Sequence, residues 1–211
     1  MKKENTNFGF SSNSEKTFYA EATGKTFHLY LGDIDEPSEY HSWCQLLRSA
    51  TPADDVFIHI NSNGGRLDTT TQLIQAIHEC QGRIYASIEG NCCSAATMIF
   101  LTCDQYQLSP YTYFMIHNFS GGMIGKGNEM QSRAEFEKRW FDNMAYSLYK
   151  NFLSDVEISE MLRGVDFYMD AKEVHARMTK RNKLARQSVP KKPKAEKVTQ
   201  EAPNNDNQTD S

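Results

Sequence analysis

Residues 83–101, RIYASIEGNCCSAATMIFL, change character at their middle. RIYASIEG reads as a strand and SAATMIFLT as a helix, with Gly90 and three small residues between them. Ser94 therefore opens a helix at a strand–turn–helix junction, the setting in which a serine side chain is lifted clear of a sheet. The stretch does not follow the G-x-S-x-G pattern, so that signature lends nothing. Two uses of Ser94 fit. It can cap the helix by accepting a backbone N–H bond. It can also be a nucleophile, with Cys92, Cys93, Ala95 and Ala96 leaving room around it and the helix N-terminus favouring negative charge nearby.

The flanking pattern alternates in the same way. FHLYLGDI (27–34) opens as a strand, and Trp43, Leu46 and Leu47 follow at helical spacing. VFIHIN (56–61) puts Val56, Ile58 and Ile60 on one face, and TTTQLIQAIHEC (69–80) carries Leu73, Ile74, Ile77 and Cys80 along a helical stripe. DQYQLSP and YTYFMIH add two short β-prone runs. Repeated strand–helix units argue for an α/β core with a largely parallel sheet. After the glycine-rich SGGMIGKG comes a segment from Glu129 to Leu153 without Pro or Gly. Phe136, Trp140, Met144 and Leu148 form one row on it; Phe141, Ala145 and Tyr149 form the next. So much apolar surface predicts a long helix that packs beyond its own domain, or else within this core.

The 211 residues suit one domain with tails. Residues 1–25 are polar and read as a flexible arm, 26–180 as the domain, and 181–211 as a disordered tail too poor in apolar groups to offset its ordering entropy. Basic and acidic residues nearly cancel, 23 against 27, which points to neither a nucleic-acid nor a membrane surface. No apolar run approaches the roughly 18 residues of a membrane helix, and no signal peptide is visible. A cytoplasmic protein with reduced thiols is expected, because the five cysteines are an odd number without metal-type spacing.

Two further pieces could work with Ser94. SNGGRLD (62–68) follows a strand, and its glycines can present bare N–H groups to a ligand. With the N–H of Ala95 it could form a two-donor oxyanion hole, although an ordinary strand-ending turn reads the same way. His117 stands at the end of YTYFMIH beside a glycine loop, where an imidazole could serve as base. His28, His41, His59, His78 and His175 are its competitors, with His59 mid-strand and His78 mid-helix.

Taken in order, INSNGG (60–65), GNCCSA (90–95), YFMIHN (113–118) with Gly121 and Gly122 after it, the long helix and DFYMDAKEV (166–174) resemble the proteolytic subunit of the Clp protease. The resemblance covers about residues 27 to 175. It implies a spiral β-sheet core with surrounding helices and a protruding handle helix, the fold shared with crotonases. It implies a serine endopeptidase with Ser94 as nucleophile, His117 as base and Asp166 as acid, with Asp170 the rival one helical turn on. The oxyanion donors would be the N–H groups of Gly65 and Ala95. It further implies self-assembly into stacked rings, expected to be heptameric, protein and peptide substrates, and a Clp-type ATPase unfoldase. No cofactor or metal is implied, and ATP would enter only through that partner, since this chain has no Walker loop.

The chain also departs from the family pattern. Asn63 stands for a proline, which is expected to loosen the glycine loop. Cys92–Cys93 replace two alanines, Ala95 a methionine, and Asn118–Phe119 the usual Gln-Pro. The ends lack the family's unfoldase-docking arm and its terminal strand. A virus-type maturation protease acting without an unfoldase fits those ends equally. An inactive ring-forming scaffold and an acyl-CoA-binding relative of the same fold complete the alternatives.

Overall fold

A computed structural model describes residues 24–188. Of the arm expected over residues 1–25, all but Gly24 and Lys25 lie outside the described residues. Six strands form one sheet: β1 (Thr26–Leu31), β2 (Asp55–Ser62), β3 (Arg83–Cys93), β4 (Gln105–Leu108), β5 (Tyr113–Ile116) and β6 (Phe167–Asp170). Among the described residues six α-helices accompany it: α1 (His41–Ser49), α2 (Leu67–Glu79), α3 (Ala95–Thr102), α4 (Gly127–Tyr149), α5 (Asp155–Leu162) and α6 (Ala171–Ser188). The path runs β1-β2-β3-β5-β6, with β4 also on β3. All pairs are parallel except β5 with β6.

The long strand β3 gives the sheet its turn. Tyr85–Ile88 pair with β4, whereas Asn91–Cys93 pair with β5, so successive lengths of one edge hold different neighbours. On the opposite edge the register with β2 slips between Ile60 and Ser62. A bulge bends a strand and increases its twist, which lets the last residues of β3 turn onto a new partner.

Alternation decides the buried face. Val56, Ile58 and Ile60 of β2 are buried, as are Ile84, Ala86 and Ile88 of β3. α3 is buried on every side from Ala95 to Leu101, which explains why its sequence is a continuous apolar run and not a stripe. Around it lie α2 and α4.

α4 resolves the two packing expectations for the long helix. Its 23 residues span about 35 Å. Phe141, Ala145 and Tyr149 of its second half are buried against the core, while Phe136 and Trp140 remain 57% and 39% exposed. The second half is a core helix and the first projects from the domain.

The C-terminal boundary expected at residue 181 is corrected: α6 continues to Ser188. One contact in the extended part is a side chain that composition does not reveal. Arg181 Nη1 donates to the Leu101 carbonyl at 2.8 Å, satisfying a group at the C-terminal end of α3. Val174 and Met178 bury the preceding turns. The rest of the expected tail, 189–211, lies outside the described residues. Among the described residues no helix is long and apolar enough to cross a membrane.

Candidate active site

Ser94 occupies the N-cap position of α3, yet its side chain caps nothing. Its backbone sits at φ 55°, ψ −127°, one of two non-glycine residues with positive φ among those described. Such a conformation costs about 1–3 kcal/mol and persists only where the surroundings impose it. Here β5 contributes, since Ser94 N–H donates to the Met115 carbonyl at 2.8 Å. The hydroxyl is left for His117, whose Nε2 lies 2.7 Å from Ser94 Oγ.

Strand pairing joins residues 23 apart in sequence. β3 and β5 run parallel with Cys93 beside Met115, so Ser94 and His117 leave neighbouring strands at the same end. The other histidines described with partners are engaged elsewhere. His59 lies between His28 Nδ1 at 2.9 Å and Glu89 Oε1 at 2.6 Å, and His175 meets the Tyr106 hydroxyl at 3.1 Å. The thiols before Ser94 are poor competitors as nucleophiles. Burial pushes Cys92 well up and Cys93 up from the ordinary thiol range, which keeps both protonated.

The choice between Asp166 and Asp170 turns on the antiparallel pair β5–β6. The ladder ends with Ile116 facing Phe167, and His117 and Asp166 are the residues that follow that last pair on the two chains. Opposed residues in such a pair have Cα atoms about 4.5–5.5 Å apart and side chains on one face. Asp170 faces Tyr113 at the far end and accepts the Glu173 N–H at 2.9 Å, which makes it the N-cap of α6. Among the described residues no hydrogen bond joins Asp166 to His117. The partner of Asp166 is the Tyr168 hydroxyl, at 3.4 Å from Oδ2.

The glycine loop lies against the serine. At Gly64 (φ 98°) an added Cβ would stand 2.7 Å from Ser94 Cβ. At Gly65 (φ 145°) it would collide with the Ile34 carbonyl oxygen, so the close approach excludes any side chain. Ile34 forms a parallel bridge with Gly65: its N–H donates to the Gly64 carbonyl at 2.7 Å and its carbonyl accepts from the Arg66 N–H at 2.9 Å. In that pattern the bridge bonds belong to residues 64 and 66, and the N–H of Gly65 faces the other way. A narrow cavity of about 50 Å³ opens there, lined by Gly65, Leu67, Ser94, Ala95, Met98 and His117 among others. Room for little more than one small group fits a site that receives a single oxygen or small substituent.

The expectation that Asn63 loosens this loop is corrected. Its N–H, which a proline would lack, donates to Asp33 Oδ1 at 2.7 Å. Its amide oxygen accepts from Asn91 Nδ2 at 3.0 Å. Asp33 and Asn91 were not singled out in the sequence, and no local pattern marks them, because the contacts span about thirty positions. Among the described residues no group of three or more His, Cys, Asp or Glu side chains is placed to hold a metal ion.

Comparison with known proteins gives the family. The Clp protease family model matches residues 15–177. Proteolytic subunit 2 of the ATP-dependent Clp protease of Pseudomonas aeruginosa is 28% identical over 117 residues, covering 54% of this chain and 57% of that protein. The matched stretch thus spans little more than half the length of that curated relative.

Proposed function

Since the chain belongs to the Clp protease family, we propose that it is a serine endopeptidase whose nucleophile is Ser94. One observation carries this reading: a serine at a helix N-cap, held at positive φ, bonds not to the helix but to an imidazole 2.7 Å away. A capping serine would lie in ordinary extended backbone and bond to N2 or N3.

In the proposed reaction Ser94 Oγ attacks the peptide carbonyl while His117 Nε2 takes its proton, and the same proton then passes to the leaving amine. Asp166, one residue beyond the last β5–β6 pair as His117 is on the other strand, holds the ring and favours its charged form once its carboxylate turns from Tyr168 toward Nδ1. Apo geometry of this kind tightens when substrate binds. The N–H groups of Gly65 and Ala95 receive the oxyanion. None of these steps uses a metal or organic cofactor.

The assembly follows the same reading. Phe136 on the projecting first half of α4, Trp140 on the exposed side of its second half and the exposed Ile124 before the helix offer apolar surface suited to contact between copies. Stacked heptameric rings enclosing the site would then select protein substrates by access. The name of the Pseudomonas relative includes ATP dependence, and an ATPase unfoldase partner in the cytoplasm is proposed on that basis.

A fluorophosphonate probe applied to purified wild type and Ser94→Ala, with mass spectrometry of the modified peptide, tests the reading. An adduct on Ser94, absent in the variant, is expected. A folded, assembled protein that takes no adduct would overturn it in favour of a scaffold or acyl-CoA-binding role.

A further inference from the structure

A two-step chain of hydroxyls runs from the end of α4 to the serine. Thr97 Oγ1 donates to the Ser94 carbonyl at 2.6 Å, and Tyr149 Oη lies 2.7 Å from Thr97 Oγ1. Thr97 and Tyr149 are both fully buried, at 0% exposure. The proton order is dictated by these contacts. Thr97 spends its single hydrogen on the carbonyl, so its oxygen accepts from Tyr149. Burial pushes the Tyr149 phenol up, which keeps that donor protonated. The Thr97 N–H adds a second bond to the same carbonyl at 3.0 Å.

The Ser94 carbonyl and the Ala95 N–H belong to one planar trans peptide and point in opposite directions. Fixing the carbonyl therefore aims the N–H. It also holds ψ of a residue that would otherwise relax from its strained backbone.

We propose that Thr97 and Tyr149 are positioning residues that clamp the Ser94–Ala95 peptide plane, setting both the serine rotor and the oxyanion donor. The proposal rests on the peptidase reading above. Neither residue touches the substrate; each acts through the carbonyl. A merely structural pair would matter only because a lone buried hydroxyl is costly, and that cost vanishes when both partners are replaced by apolar groups of like shape.

The test separates the two roles. Thr97→Val, Thr97→Ser, Tyr149→Phe and the double Thr97→Val/Tyr149→Phe variant are compared with wild type by thermal unfolding, by fluorophosphonate labelling rate, and by kcat and KM on a fluorogenic peptide. Thr97→Val should lower kcat by about tenfold to a hundredfold with KM unchanged, because an oxyanion donor acts in the transition state. Thr97→Ser should restore it. The double variant should unfold near the wild-type temperature yet stay slow. A double variant that cleaves and labels at the wild-type rate would overturn the positioning role alone. Wild type that neither labels nor cleaves would overturn the peptidase reading and, with it, this proposal.

Discussion

Replacing Asp166 by asparagine tests the assignment of the acid and can be given a magnitude. Asp166 and His117 are the next residues beyond the Ile116–Phe167 pair that closes the β5–β6 ladder, and with their Cα atoms at strand-pair spacing a carboxylate and an imidazolium could come within about 5 Å. Near a protein surface, with an effective dielectric of about 20, two unit charges at that distance attract by about 3 kcal/mol. At 1.36 kcal/mol per factor of ten that is about two orders of magnitude in rate. Loss of the ring-orienting acceptor adds to it, and the serine-protease template reaches about 10⁴ for the equivalent change. Asp166→Asn should therefore reduce kcat by about 10²- to 10⁴-fold. Asp170 lies four residues along the strand, about 13 Å away at about 3.3 Å per residue, beyond the Debye length of about 8 Å at physiological salt. Asparagine also caps helices well, so Asp170→Asn should keep α6 and change kcat by less than about twofold. Turnover of a fluorogenic peptide, with unfolding temperatures to confirm folding, measures both. Equal losses, or the greater loss at Asp170, would refute the register argument.

Two other outcomes follow from the same structure. The Arg177 guanidinium beside Glu157, 2.7 Å from Oε1, holds that carboxyl at about 2 against an ordinary 4.5. A depressed pKa gives stability that is complete above about pH 5 and is lost as pH falls toward 2. After discounting for solvent at the edge of the pair it is worth about 1–2 kcal/mol. Glu157→Gln, which can keep the capping box with Ser154, should thus be less stable than wild type at pH 7, with the gap closing at about pH 2. Denaturant unfolding at both pH values checks this, and a gap independent of pH would contradict it. Gly65→Ala drives a Cβ into the Ile34 carbonyl; a loss of about 2–3 kcal/mol of stability and of at least about a hundredfold in kcat is expected. Normal turnover in that variant would remove Gly65 from the oxyanion site.

Much of this protein could be read along the chain because its signals are local. The alternation of Val56, Ile58 and Ile60, the unbroken apolar run of α3 and the strand-to-helix change at Ser94 each depend on neighbours a few residues away. Backbone geometry ties such spacings to a face or a helix. The order of these pieces carried the family resemblance, and the family comparison agrees with it. Local patterns failed where one long-range contact decides. Composition places the end of the domain at 180, but α6 runs to Ser188 and Arg181 reaches the Leu101 carbonyl, 80 positions away. Asn63 in place of a proline suggests a looser loop from its neighbours alone, whereas Asp33 and Asn91, about thirty positions away, tie it down.

The active-site question divides the same way. The sequence alone determined that Ser94 begins a helix after a strand, that a histidine ends a later strand, and that two acidic residues stand four apart near the end of the domain. It left the serine free to be a cap, and both aspartates eligible. Only the tertiary structure decided that the hydroxyl turns to His117 and not to its own helix, and that Asp170 is committed to capping α6. Helix and strand periodicities are set by covalent neighbours, whereas strand partners and register are set by which distant surfaces bury each other, and no short stretch of chain contains that choice.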